Sequence, residues 1–498
     1  MEEQKQTETS YGNIFKTTFL FGFVQIVRLL VSVIRNKVIA LVLGPTGMGM
    51  ISVFNSSINF IKTGAGLGIA QSAVKDISEA NSCDDKVRFS RTISLTNRIC
   101  VITSLLGLIV TIVLSPILSK SGFGNYSYIL SFILLGFAIA FDIYTDNQLA
   151  ILKGMRRLRS LALASIIGSI MSLVTGVPLF IIFKEQGIVP SIIISAFSAL
   201  LVTALFVRKI PYDRINLSFR ELWHEGNPMI KMGVSLMMIN FVSYIFDYII
   251  IAFIRSSGGI TDVGIYGVGS ALIFSYFSIV TTALATDYYP RLAAVSKDNV
   301  RVEEEVNKQA RVGLTFIIPL AALFVLFTPL IIRILFTEEF AGANRFSDIA
   351  IFGVVLAIVS DCLGYILIAK QEAKVFLTVT FSFRIVLLPV YLLLYYFFGL
   401  LGLGVAHVIN CTGQIVVYSI IGRRKYNVRV SADIFKSLLI AFIMIVAILA
   451  ARHLPNPVLS YTIGGIMSLL VVVYSLMYMK NKLDIDLIKS IKNRYGRK

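Results

Sequence analysis

The chain has 498 residues, 56% of them hydrophobic, with a mean hydropathy of +0.81; a soluble protein of this size has no way to hide so much apolar surface, so lipid must solvate most of its length. The formal net charge of +18 would point to nucleic acid in a soluble protein. Here the basic residues sit in short loops between apolar runs and no basic, aromatic-interleaved domain exists, so nucleic acid is excluded as a partner and the positive-inside bias of membrane proteins accounts for the charge.

Apolar runs of spanning length predict an all-α polytopic membrane protein with about fourteen transmembrane helices. They cover 15–43, 47–73, 92–118, 126–152, 159–184, 187–208, 229–254, 264–288, 311–335, 345–370, 374–398, 400–422, 434–452 and 458–480. The segment before them, Met1 to Ser10, is polar and acidic and is not a cleavable signal peptide. With that end in the cytoplasm, the inside segments collect groups such as Lys153, Arg156, Arg157 and Arg159, or Arg423, Arg424 and Lys425, and the tail adds Lys480 to Lys498. The outside loops hold only Lys120, Lys184, Arg255, Arg345 and Arg452. This asymmetry predicts a multi-pass protein with both termini cytoplasmic. Cys83, Cys100, Cys362 and Cys411 lack metal or redox spacing and read as small packing residues.

Polar residues interrupt these spans in patterns. The first span carries Gln25, Arg28, Ser32 and Arg35 on one helical stripe. An arginine at bilayer depth is expensive and must face a protein interior or a watery cavity. Lys62 shares a stripe with Asn55 and Asn59, and is followed by the run Gly64 to Gly68, which predicts bending or close packing of the second span. Arg98 sits near the cytoplasmic end of the third span, deep enough to face a cavity and shallow enough to snorkel. Arg333 reads as snorkelling. Arg28, Lys62 and Arg384 are too deep for that, and either line a cavity or form buried ion pairs. Asp142 and Asp146 lie one turn apart on the fourth span, Asp247 follows Asn240 and Ser243 on the seventh, and Asp361 lies in the tenth. These carboxylates either neutralise the buried cations or bind a proton or sodium ion that drives transport. His407, Asn410 and Gln414 form a polar stripe on the twelfth span, where the histidine reads first as a packing residue. The connector Asn216 to Trp223 reads either as an interfacial segment lying on the inner leaflet or as a partly ordered link.

An internal repeat organises the chain. Gly49-Met50-Ile51-Ser52-Val53 is echoed 215 residues later by Gly264-Ile265-Tyr266-Gly267-Val268, and Ile151-Leu152-Lys153 by Ile368-Ala369-Lys370. Six spans per repeat give two parallel lobes, as in rocking transporters. The predicted domains are an N-terminal lobe over 1–208, a cytoplasmic linker over 209–228, a C-terminal lobe over 229–425, and two extra helices with a basic tail over 426–498.

No nucleotide-binding loop, zincin motif or nucleophile elbow is present, and no soluble domain stands ready to house catalysis. The chain resembles the polysaccharide-flippase branch of the multidrug/oligosaccharidyl-lipid/polysaccharide exporter superfamily, of the O-antigen and lipid III type. The resemblance rests on Leu43-Gly44-Pro45-Thr46-Gly47-Met48-Gly49, Thr63-Gly64-Ala65-Gly66, Leu152-Lys153-Gly154-Met155-Arg156, Val263-Gly264-Ile265-Tyr266, Tyr288-Tyr289-Pro290-Arg291-Leu292 and Gly364-Tyr365-Ile366-Leu367-Ile368-Ala369-Lys370, in that order. It implies alternating access, no cofactor, and an undecaprenyl-diphosphate-linked oligosaccharide as cargo, carried from the cytoplasmic to the periplasmic leaflet of the bacterial inner membrane. It also implies membrane lipids and other polysaccharide-assembly membrane proteins as partners. Typical members of the branch have twelve helices, so the last two are a departure. On this reading Arg28, Arg35, Lys62, Arg384 and Arg98 hold the diphosphate, because guanidinium forks match phosphate oxygens. Asn55, Asn59, Asn240 and Asn410 contact the glycan. The competing readings are a cation-coupled multidrug exporter of the same superfamily and a membrane glycan polymerase or ligase.

Overall fold

The computed structural model describes residues 2–83 and 85–483; the basic residues expected in the tail beyond Leu483 lie outside them. Every long element is a helix, and no strand occurs among the described residues. The chain is an all-α polytopic membrane protein. It divides into two compact units, Met1–Gly264 and Ile265–Lys498.

Unit 1 contains α1 (Glu2–Ala65), α2 (Ile69–Ser82), α3 (Lys86–Phe123), α4 (Ile129–Gly154), α5 (Leu158–Phe183), α6 (Ile188–Val207) and most of α7 (Phe219–Ser270). The first two expected spans follow one another in α1 and are separated at Gly44, whose φ of 60° takes the chain out of the helix. The second span does not run unbroken to residue 73. It stops at Ala65, passes through left-handed Leu67 and Gly68, and restarts as α2. A side chain at Gly68 would collide with the backbone of Gly233, so a glycine is required there on both conformational and steric grounds. Below the break lies a core that includes Ile69, Ile77, Ile93, Ile151 and Leu152.

The linker is an ordered strap. Asp213 and Ile215 donate their N–H groups to Ser90 Oγ (3.1 Å) and Ser94 Oγ (3.2 Å) of α3. Leu217 and Leu222 enter the core, whereas Phe219 and Trp223 remain exposed. Ser218 and Glu221 then form a capping box: Ser218 N–H donates to Glu221 Oε2 (2.8 Å) and Glu221 N–H to Ser218 Oγ (3.3 Å). Helix α7 therefore starts ten residues before the expected span.

Unit 2 contains the end of α7, a π-helical turn over Ala271–Tyr276, then α8 (Ser278–Ala294), α9 (Asn299–Leu335), α10 (Ala343–Ala369), α11 (Ala373–Tyr426), α12 (Ala432–Arg452) and α13 (Pro457–Leu483). The α9 helix begins well before its apolar span because Asp298 caps it, accepting from Val300 and Arg301; Asp85 caps α3 in the same way. The two helices outside the repeat pack on α9. Arg311 reaches Asp433 (2.7 Å), Tyr478 donates to the same carboxylate (2.9 Å), and Asn307 bonds the backbone of Arg429 and Ser431.

Among the described residues, nine helical stretches are long and apolar enough to cross a membrane. Three of them, Leu158–Val207, Asn240–Ala294 and Lys374–Tyr426, have 50 residues or more, while a bilayer core of about 30 Å needs about 20. Each is broken inside, at the turn after Phe183, at Gly259 and at Gly399.

Candidate functional site

Unit 1 encloses a cavity of about 350 Å³ around the break between α1 and α2. Asn59 and Lys62 reach it from α1, one turn apart on the stripe that ends the helix. Gly66 N–H donates to Lys62 O (2.9 Å), closing that last turn before the chain reverses its hand. Asp146 enters from α4 and Asn240 and Tyr244 from α7. Lys62 Nζ lies 2.8 Å from Asp146 Oδ2, with the lysine one-quarter and the carboxylate nearly half exposed. Asp142, one turn back on α4, interacts electrostatically with Lys62, Asp146 and Arg35. The cavity thus contains or adjoins three cations, Lys62, Lys153 and Arg35, and two carboxylates, Asp142 and Asp146.

Packing of α7 on α1 brings Asn240 to this place. Phe60 stacks on Phe241 and Tyr248, with centroids 5.5 Å and 5.8 Å away, and Tyr248 shares a 2.5 Å hydrogen bond with Ser121 of α3. Asn147, behind the cavity wall, donates to Asn97 Oδ1 (2.9 Å) and locks α4 to α3.

Of the residues expected to act together, the structure gathers Asn59, Lys62, Asp146 and Asn240 around one cavity, with Asp142 and Arg35 in electrostatic contact behind them. Arg28 and Asn55 are exposed on α1, and Arg28 makes no hydrogen bond or ion pair among the described residues. Asp247 is exposed on α7. Arg98 is committed elsewhere: its guanidinium donates to Leu217 O and to Asn216 Oδ1 (2.9 Å), holding the linker on α3.

Asp361, Arg384 and Asn410 belong to unit 2. Asp361 borders a cavity of about 370 Å³ with Gln309, Tyr288, Tyr289 and Tyr365. It forms no ion pair among the described residues. Asn410 accepts from Gln414 Nε2 (3.2 Å), and Arg384 interacts electrostatically with His407. The His407 ring packs on Gly353 and edge-on to Phe274, 4.9 Å between centroids, as a packing residue does. Cys100, Cys362 and Cys411 are buried thiols and Cys83 is an exposed one.

Gln71, Lys153 and Tyr244 also line the cavity, a role the sequence did not suggest for them. Lys153 was visible only as a loop charge, yet it follows Asp146 by seven residues, two helical turns on the same face. Tyr244 follows Asn240 by four. Gln71 lies beyond the break, so no single-helix periodicity could have joined it to Lys62.

Comparison with known proteins places this geometry in context. A family model described as polysaccharide biosynthesis protein matches residues 38–345. The lipid III flippase of Escherichia coli K12 is 22% identical over 357 residues, covering 69% of this chain and 82% of that protein. A putative O-antigen transporter of Shigella flexneri is 24% identical over 407 residues, covering 78% and 92%. Among solved structures, an inward-facing multidrug resistance MATE family transporter of the MOP superfamily aligns with a TM-score of 0.67 at 16% identity, over 83% of this chain and 96% of that one. The lipid II flippase MurJ, in an inward closed conformation, aligns with a TM-score of 0.66 at 14% identity, over 95% and 100%. The shared fold is that of these transporters.

Proposed function

The chain belongs to the polysaccharide biosynthesis protein family, and we propose that it is a flippase for an undecaprenyl-diphosphate-linked oligosaccharide. It carries the O-antigen-like or common-antigen-like unit from the cytoplasmic to the periplasmic leaflet of the bacterial inner membrane by alternating access. It acts as a transporter and not as an enzyme, and both termini are cytoplasmic. The observation that supports this reading best is Lys62, held by Asp146 in a cavity that also presents Asn59 and Asn240. A lysine and, behind it, an arginine offer charge to a diphosphate, and the amides and Tyr244 offer hydrogen bonds to sugar hydroxyls. Arg28 collects the headgroup from the membrane. Arg384 and Asn410 serve the same cargo from the C-terminal lobe. Burying a charged headgroup in a protein-lined cavity spares it the hydrocarbon, while the prenyl tail stays in lipid. Asp142, Asp146, Asp247 and Asp361 balance charge or couple a proton or sodium ion to the movement.

The test is glycan export in cells lacking their own flippase. Expression of this chain should restore surface glycan, and Arg28→Ala should abolish it with folded protein still in the membrane. Normal export by that variant would sink the proposal.

A cation-coupled drug exporter is the second reading, and Asp361 favours it: a carboxylate without a cationic partner among the described residues, beside a tyrosine-lined cavity. Lower drug accumulation in expressing cells, with no glycan export, would select it.

A further inference from the structure

Positive charge is scarce in extracytoplasmic loops, and two of the five basic residues expected there meet in one place. Arg345 and Arg452, from α10 and α12, both line a third cavity of about 610 Å³ that lies wholly within unit 2. Their roles differ. Arg452 is a buried structural cation, its side chain 11% exposed, bound to both oxygens of Asp348 and donating to Val325 O at 3.0 Å. Arg345 is exposed and makes no hydrogen bond or ion pair among the described residues. The Arg452–Asp348 pair cancels itself, so Arg345 supplies the uncompensated charge.

A second polar group in the cavity also lacks a partner. Asn344 lines it beside Arg345, and its Oδ1 is buried without a hydrogen bond. A buried acceptor left unpaired costs about 1–3 kcal/mol, so it calls for a donor. Much of the remaining wall is apolar: Ile349, Leu401 and Leu449 from the packed helices, and Leu454 from the turn into α13. The cavity therefore offers a cation for an anion, an acceptor for a hydroxyl, and an apolar flank for a hydrocarbon chain.

We propose that this cavity binds the headgroup of an anionic lipid that carries both a phosphate and a hydroxyl, with Arg345 on the phosphate and Asn344 on the hydroxyl. The α12–α13 pair builds one wall, which gives these additional helices a ligand to hold. A phospholipid with a glycerol headgroup and a prenyl-linked sugar diphosphate share this chemistry. The site uses no residue of the unit 1 cavity; only its assignment to the outer leaflet rests on the orientation proposed above.

The test is native mass spectrometry of the intact chain titrated separately with phosphatidylglycerol, phosphatidylcholine and undecaprenyl-diphosphate-N-acetylglucosamine. The wild type should retain at least one of the two hydroxyl-bearing anionic lipids over phosphatidylcholine. Arg345→Gln, which removes an exposed side chain without partners and leaves the fold intact, should lower that retention roughly three- to fivefold, the scale of one exposed charge contact. Asn344→Ala should lower it as well. Lys184→Gln, another basic residue expected outside and not among those lining the cavity, should leave it unchanged. A fall confined to one of the two lipids identifies the source. Equal retention by wild type and Arg345→Gln, or an equal fall in Lys184→Gln, would overturn the assignment. Glycan export plays no part in this readout, so the flippase proposal stands or falls separately.

Discussion

Gly49 and Gly264 pack backbone against backbone inside unit 1. A β-carbon on Gly49 would strike Ile260 O, and one on Gly264 would strike Pro45 O and approach Gly49 N to 2.9 Å. The contact is reciprocal, and Thr46 and Thr261 face one another beside it at 3.4 Å across the same separation of 215 residues. That offset also separates the left-handed residues Gly44 and Gly259, Arg156 and Gln371, and Lys184 and Gly399. The repeat is thus written into the positions where each half must break its helices, and one pair of equivalent segments meets.

Because backbone atoms cannot rotate away, Gly49→Val and Gly264→Val should each destabilise the protein by about 1–3 kcal/mol or more, the usual scale of overpacking. Thermal shift of the detergent-solubilised chain would measure it. Gly465, which has open space at its β-carbon position, is the control: Gly465→Ala should be neutral or slightly stabilising, since alanine outranks glycine in helices.

The Lys62–Asp146 pair separates a structural role from a transport role. Its members are one-quarter and nearly one-half exposed, so solvent screens the pair and its loss should cost no more than about 1 kcal/mol. Lys62→Met should therefore leave folded protein near wild-type levels and abolish glycan export. If Asp146 merely neutralises Lys62, the double variant Lys62→Met/Asp146→Asn should regain export. If Lys62 holds cargo, the double variant stays inactive. Surface glycan staining against membrane protein content distinguishes the two.

These residues also show what could be read in advance. The stripes Asn59–Lys62 and Asp142–Asp146 were legible because each lies on one helix face, and so was the bend at Gly64 to Gly68. Which faces meet was not legible, because periodicity within a helix is silent about its neighbour. Arg98 illustrates the cost. Its depth suited a phosphate ligand, but its partners are a carbonyl oxygen and an amide of the linker, and a carbonyl has no signature in sequence. The start of α7 was legible in principle as Ser218-x-x-Glu221, yet hydropathy alone began the span at residue 229.

The Arg452–Asp348 pair should behave oppositely to Lys62–Asp146. With exposures of 11% and 15%, removing one partner strands a buried charge, at a cost of about 3–5 kcal/mol. Arg452→Met should lower the melting temperature by many degrees and loosen α12 from α9 and α10. Arg452→Met/Asp348→Leu should recover most of the loss, because an apolar pair of similar volume removes both desolvation penalties. Thermal shift across the double-mutant cycle gives the coupling directly.

The linker clasp should open in acid. Arg91 of α3 bonds Glu225 at 2.6 Å and 2.9 Å and Glu221 at 3.0 Å, while the Ser218 backbone N–H donates to Glu221. The Ser218 bonds, with Arg91 second, lower the Glu221 carboxyl from its ordinary 4.5 to about 2, and Arg91 holds Glu225 below its ordinary value. A carboxylate depressed in the folded state stabilises it fully above the unfolded pKa and ceases to do so as pH falls through the folded one. The clasp should therefore be intact above about pH 5 and weaken progressively towards pH 2. Hydrogen exchange over residues 210–225, compared at pH 6 and pH 3 after correction for intrinsic rates, should show protection lost at the lower pH. Glu221→Gln/Glu225→Gln should exchange quickly at both, because the amides keep the shape and lose the charge that Arg91 grips. Equal protection of the wild type at both values would mean that Leu217 and Leu222 in the core, and not the carboxylates, hold the strap in place.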